Sequence, residues 1–263
     1  MTRLTDEHSA ARRARTIEGV PNASDFSEAL ARGLMVLNAF GGERRHLTQA
    51  DLARELGLSR ATVRRAVLTL EHLGYLDANG RAYDLTPKVL ELAGAYLTSN
   101  VVSAVVQPVC DRISAELHEA CSVAVLDGTD ALIVARAVPN RLIAVGDNIG
   151  YRTPALISSL GRVLIAYLDP RERNAHIDYS DSNAGAAKSG EWESIKENGF
   201  SYVANDVELG AHSIAVPIAR RDGQVVAALH VGCSIERIAP NVMLGDVLMM
   251  LRREAESLQR MLV

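Results

Sequence analysis

Residues 47–73 read LTQADLARELGLSRATVRRAVLTLEHL. Leu52, Ala53 and Leu56 form an apolar stripe that stops at Gly57, and Val63, Leu68, Leu70 and Leu73 form a second one beyond Ser59. Two helices separated by the hinge Gly57-Leu58-Ser59 follow. Gly57 supplies the left-handed backbone that ends the first helix, Leu58 plugs the angle, and Ser59 accepts amide hydrogen bonds as N-cap of the second. The spacing predicts a helix-turn-helix. Arg60, Thr62, Arg64 and Arg65 spread over the outer half of the second helix, while Val63, Val67 and Leu70 face inward. Such a face fits a DNA major groove, with Ser59, Arg60, Thr62, Arg64 and Arg65 as candidate contacts. A helical hairpin with a solvated arginine face is the alternative.

Charge supports the first reading. The chain of 263 residues carries a net charge of −4, but residues 1–90 hold 13 Arg and Lys against 11 Asp and Glu, leaving the excess acid to residues 91–263. Six arginines stand against two acids within 44–65, a local match to an acidic polymer.

Working outward, residues 1–24 lack an apolar period and are expected to form a mobile tail, in which Arg12, Arg13 and Arg15 either touch phosphate or are simply solvated. Phe26, Leu30, Leu34, Leu37 and Phe40 predict a first helix over 27–40, with Gly33 inside it for close helix packing. After the helix pair, Tyr75-Leu76, the turn Ala78-Asn79-Gly80 and Tyr83 to Leu85 predict a wing. Arg81, just past the tip, is a candidate DNA contact or a solvated side chain. A helix from Pro87 to about Thr98 makes a linker over 87–100, whose apolar stripe either pairs two chains or packs within its own.

From Val101 the text suggests a second domain. A helix with Val102, Val106, Val109 and Ile113 inward leads to runs at 121–126 and 131–137 around Asp127-Gly128-Thr129-Asp130. A third run, 142–145, precedes a long loop, and residues 158–168 look helical with Pro170 as the stop. A helix over 188–198, strands at 199–203, 213–218 and 225–231, and a final helix over 239–262 complete an α+β chain. Its parts are an N-terminal winged helix-turn-helix domain (25–86), the linker helix and an α/β/α effector-binding domain (101–263), one sheet covered by helices.

Composition excludes several classes. About half the residues are apolar, so general disorder is not expected, and no apolar run of membrane-spanning length free of charges is present. The polar, Arg-rich start has no apolar core segment after it, and Cys110, Cys121 and Cys233 are odd in number and scattered. A reduced, cytoplasmic chain with buried thiols is expected. His212 and His230 have no close Cys or His partner, so neither a metal nor a cofactor is implied. Ser159 in SSLG is not a nucleophile elbow, and no acid–base constellation accompanies it. No catalytic site is expected.

The stretches FSEALARGLMVLNAF, LARELGLSRATVRRAVLTLEHLGYL, AVLDGTDALIVARAVP, SSLGRVLIAYL and ELGAHSIAVPIARRDGQVVAALHVG together resemble the IclR family of bacterial transcription regulators. DFSEALARGL and GRVLIAYL are similar to its branch controlling aromatic-acid catabolism through protocatechuate, 4-hydroxybenzoate or catechol. The resemblance implies a GAF-like effector domain, double-stranded operator DNA as partner, a homodimer or a tetramer, and a small organic acid as effector, aromatic in that branch. Carried over residue by residue, Ser159 and Leu160 fall where main-chain amides at a helix start receive a carboxylate, which agrees with the helix dipole. Val203 falls where a member taking two- or three-carbon acids has Asp, Ser213 where it has Cys, and His230 and Gly232 where it has two serines. By alternation His230 faces the same side as Ala228 and Gly232, Gly232 leaving room for a larger ligand. His230 is a ligand contact or a core histidine bonded to backbone. Asp147, Tyr151 and Arg152 are lesser candidates, Arg152 closing the pocket or pairing with an acid. A small-molecule carrier or metabolic enzyme, with the N-terminal domain serving only oligomerisation, is the competing class.

Overall fold

The computed structural model describes residues 26–41, 44–139, 148–179, 190–206 and 209–262. The tail 1–24, the run 142–145 and Asp147 lie outside them. The chain divides into two compact units, one reaching to Tyr96 and one running from Leu97 to the C-terminus.

In the first unit, α1 (Glu28–Asn38) is followed by β1 (Leu47–Thr48), α2 (Gln49–Leu56), α3 (Arg60–His72), β2 (Leu76–Asn79) and β3 (Ala82–Leu85). Each helix starts at a hydroxyl cap. Ser27 receives the Leu30 amide, and Thr48 and Asp51 exchange backbone-to-side-chain bonds of 3.2 and 3.1 Å in a capping box that holds the Asp51 carboxyl below its usual range. Gly57 closes α2 at φ 63°. Val36, Ala39, Phe40, Leu52, Val63, Val67, Leu70 and Leu76 form the shared core. β1 and β2 both pair with β3, so the wing is a three-stranded sheet.

The details correct three expectations. Leu30 and Leu34 are 65% and 50% exposed, and Met35 and Val36 of α1, with Ala39 and Phe40 just beyond its end, are buried instead. α1 is apolar on more than one side, and its spacing alone does not say which side the other helices cover. Gly33 meets nothing within 4 Å in its own chain. The wing turns over Gly80-Arg81, because Asn79 pairs with Ala82 and Gly80 takes the left-handed φ of 64°; Arg81 is therefore in the tip itself. Beyond the wing, α4 (Val89–Ser99) leaves Leu90, Leu92 and Tyr96 exposed.

The second unit is a six-stranded antiparallel sheet in the order β6-β5-β4-β9-β8-β7. Its strands are β4 (Ala120–Asp127), β5 (Asp130–Ala137), β6 (Arg152–Pro154), β7 (Ser201–Ala204), β8 (Ala211–Ala219) and β9 (Val225–Ser234). β6 is a three-residue edge strand inside the expected long loop. One face is covered by α5 (Val101–Leu117) and by a C-terminal helix that runs from Pro240–Val242 through a π turn, Met243–Val247, into Leu248–Gln259. On the other face, α6 (Ser159–Ala166) and α8 (Glu191–Asn198) set Leu160, Val163, Leu164, Trp192 and Ile195 against Ala124, Ala131, Ala215 and Ala228. The result is a helix–sheet–helix sandwich. Pro170 does not stop α6, which ends at Ala166; it opens α7 (Pro170–Tyr179), where the Asp169 carboxylate accepts the amides of Arg171 and Glu172 at 2.7 and 3.0 Å. Cys110 and Cys121 are free and fully buried, and their mutual hydrogen bond together with burial pushes the Cys121 thiol well up.

The small residues beneath α6 determine how close it lies. A Cβ on Gly161 would sit 2.1 Å from the Ala155 Cα, against backbone that has no room to yield. Gly161→Ala is therefore expected to destabilise the second unit despite alanine's better helix propensity, by about 1–3 kcal/mol of overpacking, lowering its thermal midpoint by about 5 °C in a calorimetric scan.

Candidate nucleic-acid surface and effector pocket

The helix-turn-helix presents a set of cations with nothing to neutralise them. Arg60, Arg64 and Arg65 on α3 and Arg81 at the wing tip are all exposed, and none forms an ion pair among the described residues. Other arginines nearby are tied down: Arg44 to Glu55 at 2.6 Å and Arg54 to Asp51 at 2.7 Å. Ser59 accepts the Thr62 amide at 3.2 Å, and the two hydroxyls are 2.9 Å apart. The Ser59 hydroxyl thus fixes where α3 begins and which way its arginines project, a contribution of about 1 kcal/mol for such a cap.

In the second unit, strand register brings together residues distant in sequence. Arg136 on β5, Ser122 on β4, His230 on β9, Ala215 on β8 and Ser201 on β7 form one row across five strands. Ala120, Gly232, Ser213 and Val203 form the next. These rows lie on the face that α6 and α8 cover only in part. Ala215 is packed under α6, whereas Arg136, His230, Ser213 and Gly232 keep accessible surface. This polar part of the face, beside the apolar packing, is the candidate effector hollow.

Its walls are well ordered by hydrogen bonds. Arg136 donates to the Ser122 hydroxyl at 3.1 Å, and its backbone is clamped by Gln107 on α5, amide to side-chain oxygen at 3.2 Å and side-chain nitrogen to carbonyl at 3.0 Å. Ser159, at the start of α6, shares a hydrogen bond of 2.9 Å with Ser213. Ser158 caps that helix through the Gly161 amide, while the Ser159 and Leu160 amides have no acceptor among the described residues. They point the positive end of the helix at the hollow's rim. Val203 is buried beside Ser213.

His230 keeps some accessible surface, but its Nδ1 is buried with no hydrogen-bond partner. Burial, and then the neighbouring Arg136 charge, lower its pKa to about 3. It is a neutral imidazole at physiological pH. Since the native state refuses a proton that the unfolded chain accepts near pH 6.5, this residue costs stability as pH falls from 6.5 towards 3. The reading of a core histidine bonded to backbone does not hold.

Two further expectations change. Gly232 does not leave space for ligand: a Cβ there would lie 2.9 Å from the His230 Cε1 and 3.1 Å from its Nε2, so the glycine makes room for the imidazole. Arg152 is not in the hollow. It sits on β6 opposite Leu132 and pairs with Asp127, and with Asp130 at 3.5 Å, at the β4–β5 turn. His212 is on the opposite face from His230, bonded to the Tyr202 hydroxyl at 3.0 Å and close to Cys233. Among the described residues no three His, Cys, Asp or Glu side chains converge as a metal site. Arg136 and Ser122 were not singled out from sequence; the cue was an arginine in an otherwise apolar strand, ALIVARA.

A winged helix-turn-helix carrying unpaired arginines, joined to a sandwich domain with a polar hollow, defines a DNA-binding regulator with a sensing domain. The chain belongs to the IclR family: the family's helix-turn-helix domain matches residues 29–80, and the bacterial transcriptional regulator IclR C-terminal domain matches residues 94–260. It is 40% identical to the Pca regulon regulatory protein of Pseudomonas putida over 234 residues, 86% of this chain and 80% of that one. A putative transcriptional regulator from Rhodococcus sp. RHA1 has a similar structure, with a TM-score of 0.77 at 35% identity over 90% of this chain and 98% of that one. The inducer-binding domain of the PobR transcription factor from Acinetobacter, a double mutant in complex with 3-hydroxybenzoic acid, matches with a TM-score of 0.54 at 26% identity over 59% of this chain and 96% of that domain. The chain is a bacterial transcription regulator that responds to a ligand, and its relatives are regulators, not enzymes. Among the described residues no single helix is long and apolar enough to cross a membrane.

Gly232→Ala offers a direct check on the pocket wall. The new methyl must push the His230 ring aside, so effector affinity by calorimetry is expected to fall by about tenfold or more, while the thermal midpoint moves by no more than about 3 °C because a side chain rather than backbone gives way.

Proposed function

We propose that this regulator binds an operator through α3 and the wing, and that its effector is a small aromatic acid held in the hollow of the second unit. The genes it controls then belong to aromatic-acid breakdown, as the names of its relatives suggest, and it works in the cytoplasm, where its DNA is. The observation that carries the effector reading is the Arg136–Ser122–His230 row, a cation and two neutral polar groups on a sheet face left partly uncovered.

The roles follow from chemistry. Arg60, Arg64 and Arg65 contact bases and phosphates in the major groove, Thr62 flanks them, Ser59 sets the helix start, and Arg81 meets phosphate or the minor groove. Arg136 and the Ser159 and Leu160 amides supply positive potential for a carboxylate, Ser213 lines the floor, Val203 gives an apolar wall where a carboxylate would repel the ligand, and Gly232 seats His230. Arg136 and His230 flank Ser122 on the neighbouring strands, and the Arg136 guanidinium reaches the Ser122 hydroxyl at 3.1 Å, so cation and imidazole face the same part of the site. Leu30 and Leu34 on α1 and Leu90, Leu92 and Tyr96 on α4 are exposed, and these apolar side chains pair two copies so that two recognition helices meet a two-fold operator. Effector binding shifts the population between arrangements of the paired DNA-binding domains.

Replacing Arg60, Arg64 and Arg65 together with Ala tests the assignment of α3. Specific operator binding, measured by fluorescence anisotropy against a random duplex, is expected to drop by at least about a hundredfold with a shallower salt dependence, while calorimetric binding of the effector stays within about twofold. Specific binding that survives at physiological salt would show that another element reads the operator.

A further inference from the structure

The imidazole of His230 is a polar group without a hydrogen-bond partner among the described residues, set in a site whose neighbouring hydroxyls are paired. The Ser122 hydroxyl is occupied by Arg136, and the Ser159 and Ser213 hydroxyls by each other. Such an orphan is destabilising unless something outside the chain completes it. The position is also built: Gly232 is the residue that admits the ring, and Ser122 and Ala215 flank it on the neighbouring strands.

We propose that His230 is the specificity-determining residue of the pocket, bonding an uncharged hydroxyl of the effector while Arg136 attracts its carboxylate. The effector class is thereby narrowed to ring-hydroxylated aromatic monocarboxylates, as distinct from benzoate itself. This rests on the aromatic-acid reading above and assigns the two ends of that ligand to two side chains.

The division of labour follows from charge. His230 is neutral, held so by burial and by Arg136, and a neutral imidazole offers no charge to compensate a carboxylate in a low-dielectric site. It is suited to a phenolic hydroxyl, donating or accepting according to its tautomer. Arg136 carries a permanent charge. A site that offers a buried polar group to a ligand hydroxyl discriminates against the analogue lacking it, because the group is then left unpaired. Val203 provides no competing polar contact on the next row.

Calorimetric titration of the full chain with benzoate, 3-hydroxybenzoate and 4-hydroxybenzoate separates the possibilities. Wild type is expected to bind at least one hydroxybenzoate about tenfold or more tighter than benzoate. His230→Phe keeps a ring over Gly232 and removes both nitrogens, and His230→Leu serves if the phenyl ring impairs folding; either should erase the preference while leaving benzoate affinity within about threefold. His230→Gln, which returns a side-chain amide, should restore part of it. Arg136→Met should weaken all three acids alike. Equal losses for benzoate and hydroxybenzoates in the His230 variants, or no loss, would overturn the assignment of His230 while leaving the aromatic-acid reading intact. Failure of wild type to bind any of the three acids would overturn that reading and this one with it.

Discussion

The second unit depends on the close approach of α6 to the sheet. Gly161 lies directly against the backbone of Ala155, and alanines at 124, 131, 215 and 228 keep the sheet surface low where the helix rests. Larger residues there would lift α6 and move its first turn away from β8. Because it lies low, Ser159 reaches Ser213 at 2.9 Å and the first amides of the helix stand at the rim of the hollow. The same short helix that seals the apolar half of the face also bounds the polar half. Packing and the candidate recognition site are thus parts of one arrangement, on the sheet face that α6 and α8 cover only in part.

The first unit is organised by which of its charges are left over. Arg44 and Arg54 are bound to Glu55 and Asp51, so their charge is neutralised locally, while Arg60, Arg64, Arg65 and Arg81 are exposed and unpaired among the described residues. Exposed ion pairs contribute little to stability, and a row of unpaired arginines on one helix contributes less than nothing. Their arrangement has its reason in a polyanion. Two cap-forming hydroxyls, Thr48 and Ser59, fix the starts of α2 and α3 and so decide where that charge points.

Much of this was legible in the text of the chain. The helix pair was readable because its signals are local: stripes of Leu and Val, a glycine stop and a serine cap within a few residues. The β4–β5 and β8–β9 hairpins were readable because turn residues separate alternating apolar runs. What escaped required partners far along the chain. Arg136 and Ser122 join the candidate pocket only through pairing across three strands. Gly232 looked like space for a ligand because alternation gives the side of a residue but not where its neighbour's ring lies. Arg152 was separated from the pocket by Asp127, 25 residues earlier. A helix apolar on several sides does not disclose which side is covered, so periodicity alone points Leu30 and Leu34 inward where the structure exposes them.

The central claim is that the hollow and the operator-binding face are thermodynamically linked. Linkage is reciprocal: whatever factor the effector applies to operator affinity, the operator must apply to effector affinity. Measuring operator dissociation constants with and without saturating hydroxybenzoate, and hydroxybenzoate constants with and without saturating operator, tests it most directly. The account predicts two equal ratios, each differing from one by about fivefold or more. A hydroxybenzoate that binds the chain while both ratios remain at one would contradict it.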